Sequence, residues 1–203
     1  FASAGDLEAA FLGRKPAHAY TRITNPTVEV FEQKMAALEG GLASIALASG
    51  MAALANTVLA LLRQGENLVA SRNLFGGTFS LLDRTLRPLG IEPRFVDVTN
   101  PDEVSAALDS RTRLLLFETI SNPTMVVTDV AALARTVAGR GVALVADCTV
   151  TPPGLFDARA AGVHVTVHSS TKFISGGATS MGALTFMGTR GTMTLGRDGF
   201  HIG

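Results

Sequence analysis

The sequence predicts an α/β protein: a mostly parallel, seven-stranded sheet with helices on both faces. Two observations carry that expectation. Seven apolar, strand-like runs alternate with helix-like runs along the 203 residues. The strand-like runs are apolar on both faces rather than alternating apolar with polar, as expected of strands covered on either side by helices. The composition agrees, since 47% hydrophobic and 17% charged residues suffice for one large core in a globular chain. Repeats and low-complexity linkers are absent.

The elements follow in order. Pro26–Glu39 reads as a helix: Asn25 can cap it, Pro26 fits its first turn, Val28, Phe31, Met35 and Leu38 form its stripe, and Gly40 ends it. Strand-like runs cover 43–48, 67–70, 91–97, 113–118, 142–147, 163–168 and 183–187. Between them, 51–63, 78–86, 102–108 and 129–138 carry Leu, Val and Ala at helical spacing. Residues 45–62 hold no charge and mimic a membrane span. They also hold Ser49, Gly50, Asn56 and Thr57, and alanine replaces leucine in much of the run. A strand, a tight turn and a buried helix describe the stretch better.

Several function classes lose their footing. Lys+Arg and Asp+Glu balance at 17 each, so no basic field recruits nucleic acid or anionic lipid. Cys148 is the single cysteine, which excludes an intrachain disulfide and fits a reducing, cytoplasmic compartment. His18, His164, His168 and His201 lack metal-ligand spacing with any cysteine or carboxylate pair, so no metal site is expected. The chain opens on Phe1 rather than methionine, which implies residues upstream and leaves a targeting signal open.

Chemistry in a parallel sheet collects at the carboxyl ends of the strands. There the run VALVAD ends on Asp147, and 113–118 ends on Glu118, followed by Ser121, Asn122 and Pro123. A buried strand-end acid needs a cationic or donor partner, and a helix cap or structural hydrogen bond would serve as well as a catalytic one. The Ser49-Gly50 turn opens a helix whose first free N–H groups form an anion site, most often for phosphate; alone, such a start is usually only a cap. Lys172 is one of three lysines. Lys15 and Lys34 sit in polar surroundings, whereas Lys172 follows Ser169, Ser170 and Thr171 at the mouth of a strand. Ser169 to Lys172 also spells S-x-x-K, but S-D-N and K-T-G are missing. Neither dinucleotide nor P-loop fingerprints occur. A lysine for a Schiff base, a carboxylate for a pyridine nitrogen and a phosphate cradle fit pyridoxal phosphate.

From about residue 2 to 182 the chain resembles the Cys/Met-metabolism family of pyridoxal-phosphate enzymes, which have fold type I. The likeness rests on seven motifs in register: YTRITNPT, ALEGG, ASGMAA, FGGT, ETISNPT, ADCTVTPP and HSSTKFISGG. The resemblance implies roles. Lys172 holds the cofactor as a Schiff base and shuttles protons, and Asp147 pairs with the ring nitrogen. Ser49, Gly50, Met51, Ser169 and Thr171 bind the phosphate, and Phe75 stacks on the ring. Asn122 sits near the ring hydroxyl and the substrate carboxylate, and Thr149 lies beneath the ring. Tyr20 and Arg22 reach the phosphate of a neighbouring subunit, which implies a homodimer or homotetramer with a shared site.

Three departures stand out. Phe75 replaces a usual tyrosine and loses a phenol that could transfer protons. Cys148 replaces a usual asparagine and reads as a small residue filling space. Relatives run about twice this length, so the expectation is an N-terminal arm and helix over 1–40 and a cofactor-binding large domain over 41–203, cut before a C-terminal small domain that holds an arginine for the substrate carboxylate. The spelling of residues 1–33 looks most like the O-acetylhomoserine sulfhydrylase branch, which joins O-acetylhomoserine and sulfide into homocysteine. Methionine or cystathionine γ-lyase, cystathionine γ-synthase and O-succinylhomoserine sulfhydrylase are the alternatives. A cofactor-binding module without turnover is the non-enzyme reading.

Overall fold

A computed structural model describes residues 1–15, 17–18 and 20–176, together with the backbone of three strands within 184–202. The chain divides into two units, Phe1–Ala46 and Leu47–Gly203.

The first unit holds two helices. Ala4–Phe11 (α1) is absent from the sequence-based expectation; Ser3 caps it, its hydroxyl accepting the Asp6 N–H at 3.1 Å. Pro26–Glu39 (α2) forms as predicted. Asn25 Oδ1 accepts the N–H groups of Thr27 and Val28 at 3.0 and 3.2 Å, and Gly40 closes the helix in the left-handed conformation, φ 61°. That backbone favours glycine, which has no Cβ to clash.

The second unit carries the sheet. Gly50–Leu61 (α3) precedes Asn67–Ser71 (β1); Gly76–Ser80 (α4) runs on through a π-helical stretch, Leu81–Leu86, and a 3-10 turn, Arg87–Leu89, to Glu92–Val96 (β2). Pro101–Ala107 (α5), Thr112–Glu118 (β3), Val130–Val137 (α6), Ala143–Asp147 (β4) and Val165–Val167 (β5) complete it. The strands lie in the order β2-β1-β3-β4-β5, all parallel.

Alternate strand residues build two cores. Leu68, Leu114, Leu116, Val145 and Val167 face Leu54 and Val58 of α3, together with Leu82 and Leu86. Val69, Leu115, Phe117, Leu144 and Ala146 face Val104 of α5 and Leu133 and Val137 of α6. Helices on both faces are the reason these strands read as apolar throughout. Cys148 packs in the second core at 1% exposure, as a small space-filling residue does.

The expectation of seven strands in one sheet needs correction. Among the described residues the parallel sheet has five. The run 43–48 joins no ladder: the Ala46 N–H donates to the Glu32 carboxylate at 2.7 Å instead, and Ile45 is 79% exposed. Near the expected last strand, Leu184–Gly188 (β6) pairs antiparallel with Gly191–Gly196 (β7), which pairs with Gly199–Ile202 (β8). Two residues separate β6 from β7, and so short a connection joins antiparallel neighbours, not parallel ones. Among the described residues, no helix is long and apolar enough to cross a membrane.

Candidate active site

After β1 the chain turns to β2 on one side, and β3 then returns on the other side of β1. The segment leaving β1 enters α4 and the stretch packed on the α3 face, while the segment leaving β3 enters α6 on the opposite face. Where connections part in this way, the strand ends open a crevice. The residues singled out in the second unit follow these carboxyl ends or start α3.

The N-terminus of α3 forms one wall. Ser49 caps the helix, its Oγ accepting the Ala52 N–H at 3.1 Å. The N–H groups of Gly50 and Met51, first in the helix, have no intrahelical acceptor and carry the positive end of the helix dipole. Ser169 packs directly onto Gly50: a Cβ added there would stand 2.8 Å from Ser169 Cβ and 3.1 Å from its Cα and Oγ. Glycine is required for this approach. Ser169 is also tied to the strand ends, its N–H donating to Thr149 Oγ1 at 2.9 Å. Ser169 and Thr171 hydroxyls lie 3.2 Å apart. Lys172 is exposed in the turn that follows, and its N–H donates to the Ser169 carbonyl at 3.0 Å. Ser169, with the Thr171 hydroxyl beside its own, thus lies against the start of α3, where the first N–H groups have no helical acceptor.

Asp147 and Glu118 end neighbouring strands in register, so both carboxylates project to the α3 face. Asp147 Oδ1 accepts the Thr149 N–H at 2.9 Å. Glu118, 6% exposed, accepts from two loops: the Phe75 N–H at 2.6 Å on Oε1 and the Asn122 N–H at 2.8 Å on Oε2. Burial pushes the Glu118 carboxyl above its usual range against these two bonds, with the Asp147 charge adding to the rise.

Phe75 stands at the N-cap of α4 and is half-exposed; a Cβ on Gly77 would lie 2.6 Å from its ring and 3.3 Å from Met51 Sδ, so ring, Gly77 and Met51 converge. Asn122 stands on a loop closed on itself, with the Ser121 N–H donating to the Val126 carbonyl at 2.9 Å and the Val126 N–H to Ser121 Oγ at 2.8 Å.

Tyr20 and Arg22 belong to the first unit. The chain turns there, the Ile23 and Thr24 N–H groups both donating to the Tyr20 carbonyl. The phenol and guanidinium still meet, with Arg22 stacked 5.3 Å from the centre of the Tyr20 ring. Glu118 is the residue whose part sequence reasoning missed. Its strand-end position is legible, but its partners are backbone N–H groups, which leave no mark in a sequence.

Residues 3–194 match the family described as Cys/Met metabolism PLP-dependent enzymes. The chain is 41% identical over 165 residues to an O-acetyl-L-homoserine sulfhydrylase of Leptospira meyeri, covering 81% of the chain and 37% of that protein. It is 39% identical over 168 residues to an L-methionine gamma-lyase of Pseudomonas putida, covering 83% and 42%. Among solved structures, it superposes with TM-score 0.79 and 34% identity on a putative O-acetylhomoserine (thiol)-lyase of Campylobacter jejuni containing N'-pyridoxyl-lysine-5'-monophosphate, covering 87% of this chain and 43% of that one. The chain spans about two-fifths of the length of these relatives.

Proposed function

The chain belongs to the Cys/Met-metabolism family of pyridoxal-phosphate-dependent enzymes, and from that premise we propose that it carries the cofactor site of an enzyme that replaces the γ-substituent of O-acetylhomoserine with sulfide, giving homocysteine and acetate. The observation that carries the cofactor site is the approach of Ser169 to Gly50, which brings the start of α3 against the serine and threonine before Lys172.

Pyridoxal phosphate, when bound, supplies an electron sink for the substrate's α carbon. The protein's part is to hold and to move protons. Gly50 and Met51 N–H groups with Ser169 and Thr171 hydroxyls would hold the phosphate, and Tyr20 and Arg22 of a second subunit would add to it. Asp147, oriented by the Thr149 N–H, would hold the ring nitrogen protonated. Phe75 would cover the ring face and Thr149 the other, and Asn122 would meet the ring hydroxyl and the substrate carboxylate. The Lys172 amine would attach the cofactor and take the α proton of the substrate. Phe75 has no hydroxyl, so proton movement that a phenol could share falls to Lys172.

Methionine γ-lyase is the second reading, favoured by 39% identity to such an enzyme over 83% of the chain. Product analysis separates the two. The complete protein given O-acetylhomoserine and sulfide should yield homocysteine and acetate. Release of 2-oxobutyrate and methanethiol from methionine, without homocysteine from the first pair, would replace the synthase with the lyase. No product from either would leave a cofactor-binding module.

A further inference from the structure

The two loops that part at the β1–β3 crevice are not independent. Phe75 follows β1 and Asn122 follows β3, and the chain beyond them diverges to opposite faces of the sheet. One side chain spans the parting. Glu118 gives one carboxylate oxygen to the Phe75 N–H at 2.6 Å and the other to the Asn122 N–H at 2.8 Å. We propose that Glu118 is a positioning residue, a buried carboxylate that fixes the ring-covering Phe75 and the polar Asn122 relative to each other and so sets the width and alignment of the cofactor crevice. This assignment rests on the pyridoxal-phosphate reading of the site.

Three features favour a tie over incidental packing. Glu118 is buried, 6% exposed as a residue, and a buried charge is costly unless hydrogen bonds compensate it. Its cost is raised further by Asp147, in register on the next strand, so this is an unfavourable place for an acid without a task. Its base is also rigid: the Glu118 carbonyl accepts the Thr128 hydroxyl at 2.8 Å, and the next residue, Thr119, donates its N–H to the Asp147 carbonyl at 3.2 Å. A carboxylate alone can accept at both oxygens. Glutamine keeps one acceptor and turns an amide NH2 toward the other N–H, so that substitution opens one strut without changing the side chain's length. Charge-assisted bonds of this kind are the stronger class, so the tie resists loop motion.

The test uses the complete protein with Glu118→Ala and Glu118→Gln, and reads two quantities. The first needs no cofactor: hydrogen exchange at the Phe75 and Asn122 amides of the apoprotein. Both should speed up together, roughly tenfold or more in Glu118→Ala, with one affected far more than the other in Glu118→Gln. Protection of the central β3 amides, residues 115–117, reports whether the fold survives; if Glu118→Ala loses it, Glu118→Gln decides. The second is the dissociation constant of pyridoxal phosphate with the visible circular dichroism of the bound ring. The dissociation constant should rise about tenfold in Glu118→Ala, with a changed dichroism band, on the loss of charge-assisted bonds. Unchanged exchange at either amide in Glu118→Ala overturns the tie. Faster exchange with affinity and dichroism as in the wild type makes Glu118 a merely structural residue and overturns its positioning role. A wild-type protein that takes up no pyridoxal phosphate overturns the functional reading itself, a result distinct from both.

Discussion

Gly50→Ala is the sharpest test of the proposed phosphate cradle, because the added atom has a known address. It would stand 2.8 Å from Ser169 Cβ and 3.1 Å from Ser169 Cα. Carbon atoms rest at about 3.5–4.0 Å, so α3 or the 169–172 segment must retreat by roughly 0.7 Å or more. Cα is backbone, and Ser169 is fixed by its bond to Thr149, so no side-chain rotation relieves the contact. Overpacking of this kind costs about 1–3 kcal/mol of stability. The retreat also separates the Gly50 and Met51 N–H groups from the Ser169 and Thr171 hydroxyls. A displacement near 1 Å at a positioned group can cost on the order of a hundredfold in rate. Pyridoxal-phosphate affinity of the complete protein should therefore fall by tenfold or more, about 1.4 kcal/mol per factor of ten, with a lowered melting temperature. Gly76→Ala is the matched control. Nothing lies within 4 Å of a Cβ at Gly76, which starts α4, so that change should leave affinity alone and hold or raise stability. Affinity and melting temperature of Gly50→Ala both equal to the wild type would refute the steric argument.

Borohydride reduction of the holoprotein and peptide mapping should place the pyridoxyl mass on Lys172; a label on Lys15 or Lys34 would move the site elsewhere. Asp147→Asn keeps an oxygen to accept the Thr149 N–H, so the melting temperature should hold. Turnover should fall by on the order of 3 kcal/mol of transition-state stabilisation, roughly a hundredfold, and near-normal turnover would make Asp147 structural only. At the opposite end of the strands, the Asn67 side chain and the Arg111 N–H, with Arg94 beside them, hold the Asp109 carboxyl well below its ordinary value of 3.8. A depressed acid contributes stability above its unfolded pKa and loses it as pH falls through the folded value. Urea unfolding of wild type and Asp109→Asn should therefore differ most near neutrality and converge as pH drops below about 4; a pH-independent difference would contradict this.

The capped helix shows what local sequence settles. Asn25, Pro26 and Gly40 set both ends of α2, because capping satisfies backbone groups two to four residues away. The two-sided apolar runs of β1, β3 and β4 were equally legible, since each strand residue takes its face from the pleat. So were the places of Asp147 at the end of β4 and of the Ser49-Gly50 turn at the start of α3, for strand ends and helix starts are marked by the residues that form them. Partnership was not legible. The run 43–48 has the apolar character of a strand, yet its Ala46 N–H goes to Glu32, because a ladder needs a neighbour and composition does not supply one. The β6–β8 hairpins escaped the reading of one parallel sheet for the same reason: pairing direction follows from the length of the connection. Gly50 reads as a helix-starting turn that allows close approach, and only folding shows that Ser169 is what approaches it. Glu118 reads as a lone strand-end acid, and its clasp on Phe75, 43 residues away, exists only once β1 and β3 lie side by side. Its partners there are main-chain N–H groups, which nearly every residue carries, so tertiary structure alone decides which two it holds.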